Sequence, residues 1–173
     1  MSKEFEAAKI SEIADRLNVP ASWLDAIINF ETGGTYDPLA QNPRSSAVGL
    51  IQVLDSTAQS VFGVSDSLTL AMTYSDFGDQ MENVVYPYLK QYMPYANRQQ
   101  LCMAVFYPKY RNVAPSTEFP AYVQNANPGI KTIQDYMNFV DARIVEGTLR
   151  VPKAVPVLAA LAGTGIILYL MYR

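Results

Sequence analysis

The sequence predicts a mainly α-helical domain followed by one C-terminal transmembrane helix. Apolar residues recur at helical spacing in successive segments, and turn-forming Pro, Gly and Asn separate those segments. A length of 173 residues suffices for one core of ordinary size. Residues 154–172 are predominantly apolar and carry no charge, which predicts a helix that crosses a bilayer. We therefore expect a helical domain over residues 1–149 and an anchor over 150–173.

End signals and apolar faces place the helices in order. The first predicted helix carries Ile10, Ile13, Ala14 and Leu17 on one face, and residues 18–20 stop it. The second begins with Ser22 as its N-cap, next to Trp23, which we expect in the core; stacking on a sugar is the alternative. Two further helices are predicted over 55–62 and over 75–92, the second with a kink at Pro87. Another is capped by Asn97 and runs to Phe106. The final helix begins at a Thr132 cap and ends at Gly147.

Glu31 lies at the end of the second predicted helix. Leu24, Ile27, Ile28 and Glu31 share one helical face, so the carboxyl lies at the inner edge of an apolar stripe. The two glycines that follow predict the helix end, which places Glu31 near the negative end of the helix dipole. Burial and dipole both favour the neutral acid, so we predict a raised pKa for Glu31, as a general acid needs. The alternative is a solvated side chain at a frayed helix end.

The composition excludes several kinds of chemistry. With 16 acidic and 13 basic residues the net charge is −3, which is not typical of nucleic-acid binding. Cys102 is the single cysteine and the chain has no histidine, so we expect no intrachain disulfide, no metal or other cofactor, and no imidazole-based nucleophile. If the protein is an enzyme, carboxylates must do the acid–base work.

Two short motifs frame a polar loop that contains proline. They are Glu31-Thr32-Gly33-Gly34 and Gly49-Leu50-Ile51-Gln52. We expect the second motif to enter the next helix, with Gly49 allowing the backbone to come close to the helix that holds Glu31. Together they resemble the goose-type lysozyme and soluble lytic transglycosylase superfamily, in which a Glu-Ser pair ends a helix and a Gly-Leu-Met-Gln segment follows. The resemblance implies a lysozyme-like helical fold. Thr32 replaces the serine here, and Ile51 replaces the methionine.

The resemblance implies cleavage of the β-1,4 bond between N-acetylmuramic acid and N-acetylglucosamine in a peptidoglycan glycan strand. Glu31 would act as general acid and then as base on the muramoyl 6-hydroxyl, giving a 1,6-anhydro product. This route needs one carboxylate, whereas ordinary glycosidases need a pair. A muramidase that uses Asp37 or Asp55 to place a water is the alternative within enzymes, and an inactive structural virion protein is the alternative outside them.

The resemblance also implies a set of substrate-binding residues around the acid, namely Thr32, Asp37, Gly49, Leu50, Ile51, Gln52 and Tyr107. Asp37 lies in the loop that forms one lip of the saccharide groove in this family, and Gln52 offers an amide to an N-acetyl group. Tyr107 is the counterpart of a family tyrosine that hydrogen-bonds near the catalytic acid, although the family's Ala-Tyr-Asn motif is altered here. Three more aromatic residues could stack on sugars or pack locally: Tyr110, Phe119 and Tyr122.

The predicted location follows from the two ends of the chain. The N-terminus shows no cleavable export signal, so a tail anchor at 154–172 would leave the domain in the cytoplasm, away from the wall. Packaging in a virus particle, export by a secretion apparatus and unaided insertion would each resolve this conflict. We favour a virion-borne phage enzyme, anchored in a viral or host membrane and acting in the periplasm or cell wall. Its partners would be the glycan strand, a lipid bilayer and other virion proteins.

Overall fold

Helices account for most of the structure, which is a computed structural model that describes residues 2–144. No strand forms among these residues, where only isolated bridges occur, such as Gln41 with Val48 and Val48 with Val53. The predicted mainly α-helical class is therefore confirmed. The elements are α1 (Lys3–Arg16), α2 (Ala21–Glu31), α3 (Asp55–Phe62), α4 (Ser67–Thr73), α5 (Phe77–Gln80), a π-helical turn (Met81–Val85), α6 (Tyr86–Lys90), α7 (Arg98–Phe106), a 3-10 turn (Pro108–Tyr110), α8 (Ala121–Ala126) and α9 (Ile133–Asp141).

Helix α2 packs against α1, α7 and α9. The predicted apolar face is confirmed, since Leu24, Ile27 and Ile28 are fully buried. The cap predicted at Ser22 is wrong, because the helix already begins at Ala21 with Pro20 in the capping position. The fixed φ of proline suits a helix entry without a side-chain hydrogen bond.

The segment predicted as one kinked helix over 75–92 consists of α5, the π turn and α6, from Phe77 to Lys90. A proline ring clashes with the carbonyl four residues earlier in a regular helix. For Pro87 that carbonyl belongs to Asn83, which lies within the wider π turn. The clash with the Pro87 ring therefore accounts for the π turn, which lies just before the proline in the chain.

Two predicted helix caps are confirmed. The Asn97 side chain accepts a hydrogen bond from the Gln100 backbone N–H, and Thr132 forms a reciprocal capping box with Asp135. Helix α9 ends at Asp141, however, which is earlier than the predicted end at Gly147. Residue 147 itself lies outside the described residues.

The Gly49–Gln52 motif does not enter a helix, contrary to the prediction. It forms a turn closed by two hydrogen bonds between the backbones of Val48 and Val53, and α3 begins only at Asp55. Gly49 and Gln52 have φ of +93° and +49°. Left-handed backbone of this kind cannot continue a right-handed helix.

The predicted membrane-anchored location is corrected. Among residues 2–144 no helix combines the length and the apolar character needed to span a bilayer. The segment 154–172, on which the anchor prediction and the bilayer contact were based, lies outside the described residues.

Candidate active site

The end of α2 and the loop after it line an open cleft of about 230 Å³. The cleft brings together residues from both predicted motifs and from the loop between them. Its lining residues are Glu31, Thr32, Thr35, Asp37, Ala40, Gln41 and Gln52. The predicted acid, one predicted second carboxylate and the predicted amide thus share one cleft.

Glu31 is the last residue of α2, and only 4% of its surface is exposed. The hydroxyl of Tyr136, on α9, donates to Glu31 Oε1 at 3.0 Å. The Tyr136 ring stacks on Phe106, with 4.4 Å between centroids, and meets Phe30 edge-on at 5.4 Å. The solvated alternative for Glu31 is therefore wrong, since the carboxyl is almost fully buried and accepts the Tyr136 hydroxyl while it still lines the cleft. The raised pKa stays a prediction.

Thr32 links the helix end to the loop. Its hydroxyl donates to the Ile28 carbonyl at 2.7 Å and accepts from the Tyr36 backbone N–H at 3.0 Å. The Thr32 hydroxyl thus serves the backbone, and it sets the direction in which the loop leaves α2.

Tyr36 anchors this loop to α2 through a buried polar network. Its hydroxyl donates to Asp25 Oδ1 and accepts from Asn29 Nδ2, each at 3.0 Å. Arg143 then donates to Asn29 Oδ1 at 2.7 Å. Burial, followed by the nearby Asp25 carboxylate, raises the pKa of the Tyr36 hydroxyl well above its usual range.

This network was not predicted, although the sequence carries a signal for it. Asp25, Asn29 and Thr32 follow one another at spacings of one helical turn, which puts polar side chains on one face of α2. A second, polar stripe on a largely buried helix indicates partners inside the protein.

The Gln52 side chain joins its own turn to the loop after α2. Its side-chain Nε2 donates to the carbonyls of Ala40 and Gly49, each at 3.0 Å. Its Oε1 is buried and has no hydrogen-bond partner among the described residues. Both N–H groups of the Gln52 amide therefore donate to backbone carbonyls of the protein, whereas Oε1 remains as an acceptor beside the cleft.

Gly49, Leu50 and Ile51 are absent from the cleft lining. Leu50 and Ile51 are core residues. Gly49 was expected to bring the backbone close to α2, but a Cβ at this position would meet the side chain of Gln80, at 2.6 Å from Oε1. These three residues shape the turn that carries Gln52. The side chains of Leu50 and Ile51 pack into the core, and the backbone of Gly49 lies against Gln80.

Tyr107 does not hydrogen-bond beside Glu31, contrary to the prediction. Its hydroxyl lies 2.7 Å from that of Tyr122. Burial and this hydrogen bond raise the pKa of Tyr107 to about 12. Phe106, the residue before it, contacts Tyr136 instead, because neighbouring residues at the end of α7 face different ways. The position beside the acid belongs to Tyr136.

Tyr136 could have been considered from the sequence. It follows Ile133 by three residues and precedes Val140 by four, so a hydroxyl lies within the apolar face of α9. Of the proposed sugar-stacking residues, Phe119 is buried and unsuited to that role, whereas Tyr122 is 49% exposed. Sugar stacking by Tyr122 stays a prediction.

The two candidate second carboxylates differ. Asp37 is exposed, lines the cleft and accepts a hydrogen bond from the Leu39 backbone N–H at 2.8 Å. Asp55 accepts from the backbone N–H and the hydroxyl of Ser67, at 2.9 and 2.8 Å, and so joins α3 to α4. Asp55 is not among the residues that line the cleft. Asp37 is therefore the better placed of the two.

Comparison with known proteins leaves the family open, since no family model, no curated protein and no solved structure matches the chain. The functional assignment therefore depends on the cleft and the chemistry of its residues.

Proposed function

We propose that this protein is a lytic transglycosylase with a lysozyme-like helical domain, and that it cleaves the bond between N-acetylmuramic acid and N-acetylglucosamine in peptidoglycan. The placement of Glu31 carries the proposal. Its carboxyl is only 4% exposed and accepts the Tyr136 hydroxyl, yet it lines an open cleft together with Gln52. A carboxyl that is shielded from water and still reaches a cleft suits general acid catalysis.

The proposed reaction uses Glu31 twice. The neutral acid gives its proton to the glycosidic oxygen, so that the bond to C1 of the muramoyl residue breaks and N-acetylglucosamine leaves with a free 4-hydroxyl. The resulting carboxylate then takes the proton of the muramoyl 6-hydroxyl as that oxygen bonds to C1. The product is a 1,6-anhydro sugar, and no water is consumed.

The surroundings of Glu31 support a route with one carboxylate. The other carboxylate in the lining, Asp37, is exposed and is held by the Leu39 backbone, unlike the paired carboxyls of ordinary glycosidases. Gln52 supports an N-acetylated substrate, because its remaining hydrogen-bonding atom is an acceptor. A small adjustment of the cleft would let Oε1 accept an acetamido N–H.

A muramidase is the second candidate function. The observation that favours it is the presence of Asp37 in the same cleft as Glu31. Asp37 would then position a water for attack on C1. Hydrolysis adds one water to the product, whereas the transglycosylase product is an anhydro sugar that is lighter by one water.

Zymography of the full chain tests the assignment. Wild type is expected to clear a gel that contains peptidoglycan, Glu31→Gln is not, and Glu4→Gln, which alters an exposed glutamate on α1, should clear like wild type. Mass spectrometry of the released fragments then separates anhydro from hydrolysed ends. Clearing by Glu31→Gln at the wild-type level would reject Glu31 as the acid, and no clearing by any form would favour a structural protein.

A further inference from the structure

Gln80 is a buried amide that no part of the proposed reaction uses. It is the last residue of α5, directly before the π turn, and 2% of its surface is exposed. Its Oε1 accepts from the Leu50 backbone N–H at 2.6 Å. Its Nε2 donates to the carbonyl of Pro38 at 2.9 Å and to that of Tyr74 at 3.2 Å.

These partners belong to the segments that build the cleft. Pro38 lies between the lining residues Asp37 and Ala40, in the loop after α2, and Leu50 lies in the turn that carries Gln52. Tyr74 ends α4. One amide therefore joins two segments that carry cleft residues to α5 and to the end of α4.

The fit around this amide is close. A Cβ on Gly49 would come within 2.6 Å of Gln80 Oε1, so the backbone of the turn approaches the amide as only glycine allows. Glutamine also matches the chemistry required, because one acceptor and two donors meet one N–H and two carbonyls. Glutamate would offer acceptors alone, and methionine would fill a similar space without strong hydrogen bonds.

We propose that Gln80 is a positioning residue of the cleft. Through Pro38 and Leu50 it holds the loop with Asp37 and Ala40 and the turn with Gln52 on α5. The loop and the turn also bond directly to each other, because the Ala40 carbonyl accepts from the Gly49 backbone N–H and from Gln52 Nε2. Gln80 thereby fixes where this joined pair of segments lies, and with it the position of the cleft lining beside Glu31. The catalytic consequence of this role rests on the proposed function, whereas its effect on the two loops does not.

The experiment compares Gln80→Met with wild type and with Asn127→Leu in the full chain. Asn127 is a matched control, since it is a buried amide that donates to the Val123 carbonyl and does not line the cleft. Amide hydrogen exchange is measured for peptides that cover residues 35–41 and 48–53, and kcat and KM are measured on soluble peptidoglycan fragments.

We expect both loops of Gln80→Met to exchange about tenfold faster than in wild type, because the hydrogen bonds that join the loops to each other lose their attachment to α5 when the amide is removed. KM should rise about tenfold with a smaller change in kcat, since the acid itself stays in place. Asn127→Leu should leave the exchange of both loops and KM at the wild-type level. Unchanged exchange in Gln80→Met, or equal changes in Asn127→Leu, would overturn the proposal.

Gln80→Glu gives a second measurement if the methionine variant does not fold. Its carboxylate lacks the donor for Pro38 and Tyr74, and the neutral acid at low pH regains one O–H donor. Loop protection relative to wild type should therefore recover as the pH falls, and loss that is independent of pH would count against the proposal. If wild type cleaves no peptidoglycan, the proposed function fails while the exchange data still decide the role of Gln80.

Discussion

The hydroxyl of Tyr136 donates to Oε1 of Glu31 at 3.0 Å across a separation of 105 residues. This contact joins the first turns of α9 to the last turn of α2. The Tyr136 ring is fully buried and stacks on Phe106, so the hydroxyl has a fixed direction. Helix α9 thus orients the carboxyl that the proposed reaction uses.

Tyr136→Phe should keep the ring packing and remove this hydrogen bond. We expect kcat/KM to fall about tenfold, because an acid held in one orientation reacts better than a mobile one. The hydroxyl favours the ionised carboxylate. Its loss should therefore move the alkaline limb of the pH–rate profile, which reports deprotonation of Glu31, toward higher pH.

Tyr88→Phe is the matched control for that experiment. Tyr88 is also a buried tyrosine, and its hydroxyl donates to the Ala104 carbonyl at 2.9 Å. Each variant should lose about 1 kcal/mol of unfolding free energy in urea titrations, but only Tyr136→Phe should lose activity. Equal activity in the two variants would show that the Tyr136 hydroxyl does not orient the acid.

Gly49→Ala should destabilise the fold more than Gly63→Ala does. Both glycines have positive φ, at +93° and +67°, but a Cβ on Gly63 meets no atom within 4 Å, whereas a Cβ on Gly49 meets Gln80. We expect a loss of about 1 kcal/mol at Gly63 from the backbone alone and about 2–3 kcal/mol at Gly49, where the amide must also move. Chemical unfolding of both variants measures the difference. Equal losses would show that the Gln80 side chain can move away from the new methyl group without a loss of unfolding free energy.

The Asp135 carboxylate should stabilise α9 in a pH-dependent way. Burial tends to raise the pKa of Asp135, but hydrogen bonds from the Thr132 backbone and hydroxyl and from the Lys131 backbone hold it below its usual range. A lowered pKa in the folded state contributes stability above the unfolded pKa, and that stability is lost as the pH falls through the folded pKa.

Asp135→Asn tests this dependence. It should cost about 1 kcal/mol of unfolding free energy at pH 7. Wild type and variant should converge only at a pH below the folded pKa, which lies under the usual range of the carboxyl, because the group is then neutral in both the folded and the unfolded protein. Urea midpoints at the two pH values provide the measurement, and a difference that stays constant with pH would contradict the role of the charge.

Tyr36→Phe should loosen the lip of the cleft. The change removes the hydroxyl that bonds to Asp25 and Asn29 beneath the loop. We expect a loss of about 1–2 kcal/mol in unfolding free energy, since two hydrogen bonds to buried polar groups disappear. Exchange of amides 35–41 should quicken while that of α9 does not, and uniform quickening in hydrogen-exchange mass spectrometry would argue against a local anchor.

Local patterns were sufficient for much of the helical framework. The buried face of α2 and the caps at Asn97 and Thr132 depend on residues within one or two turns, which the sequence displays directly. The placement of Glu31 on that face was predictable for the same reason. The turn at residues 49–52 was not, because Gly49 and Gln52 adopt left-handed backbone that the resemblance did not indicate.

The amino-acid sequence alone determined a helical chain with one carboxyl at the buried edge of a helix end, because side-chain spacing and helix stop signals act over a few residues. Only the tertiary structure decided which groups face that carboxyl and which hold the cleft. Tyr136 rather than Tyr107 reaches Glu31, and Gln80 bonds to Pro38 and Leu50. A polar group far along the chain becomes a partner only when helix packing brings it within hydrogen-bonding distance, and no local spacing specifies that approach.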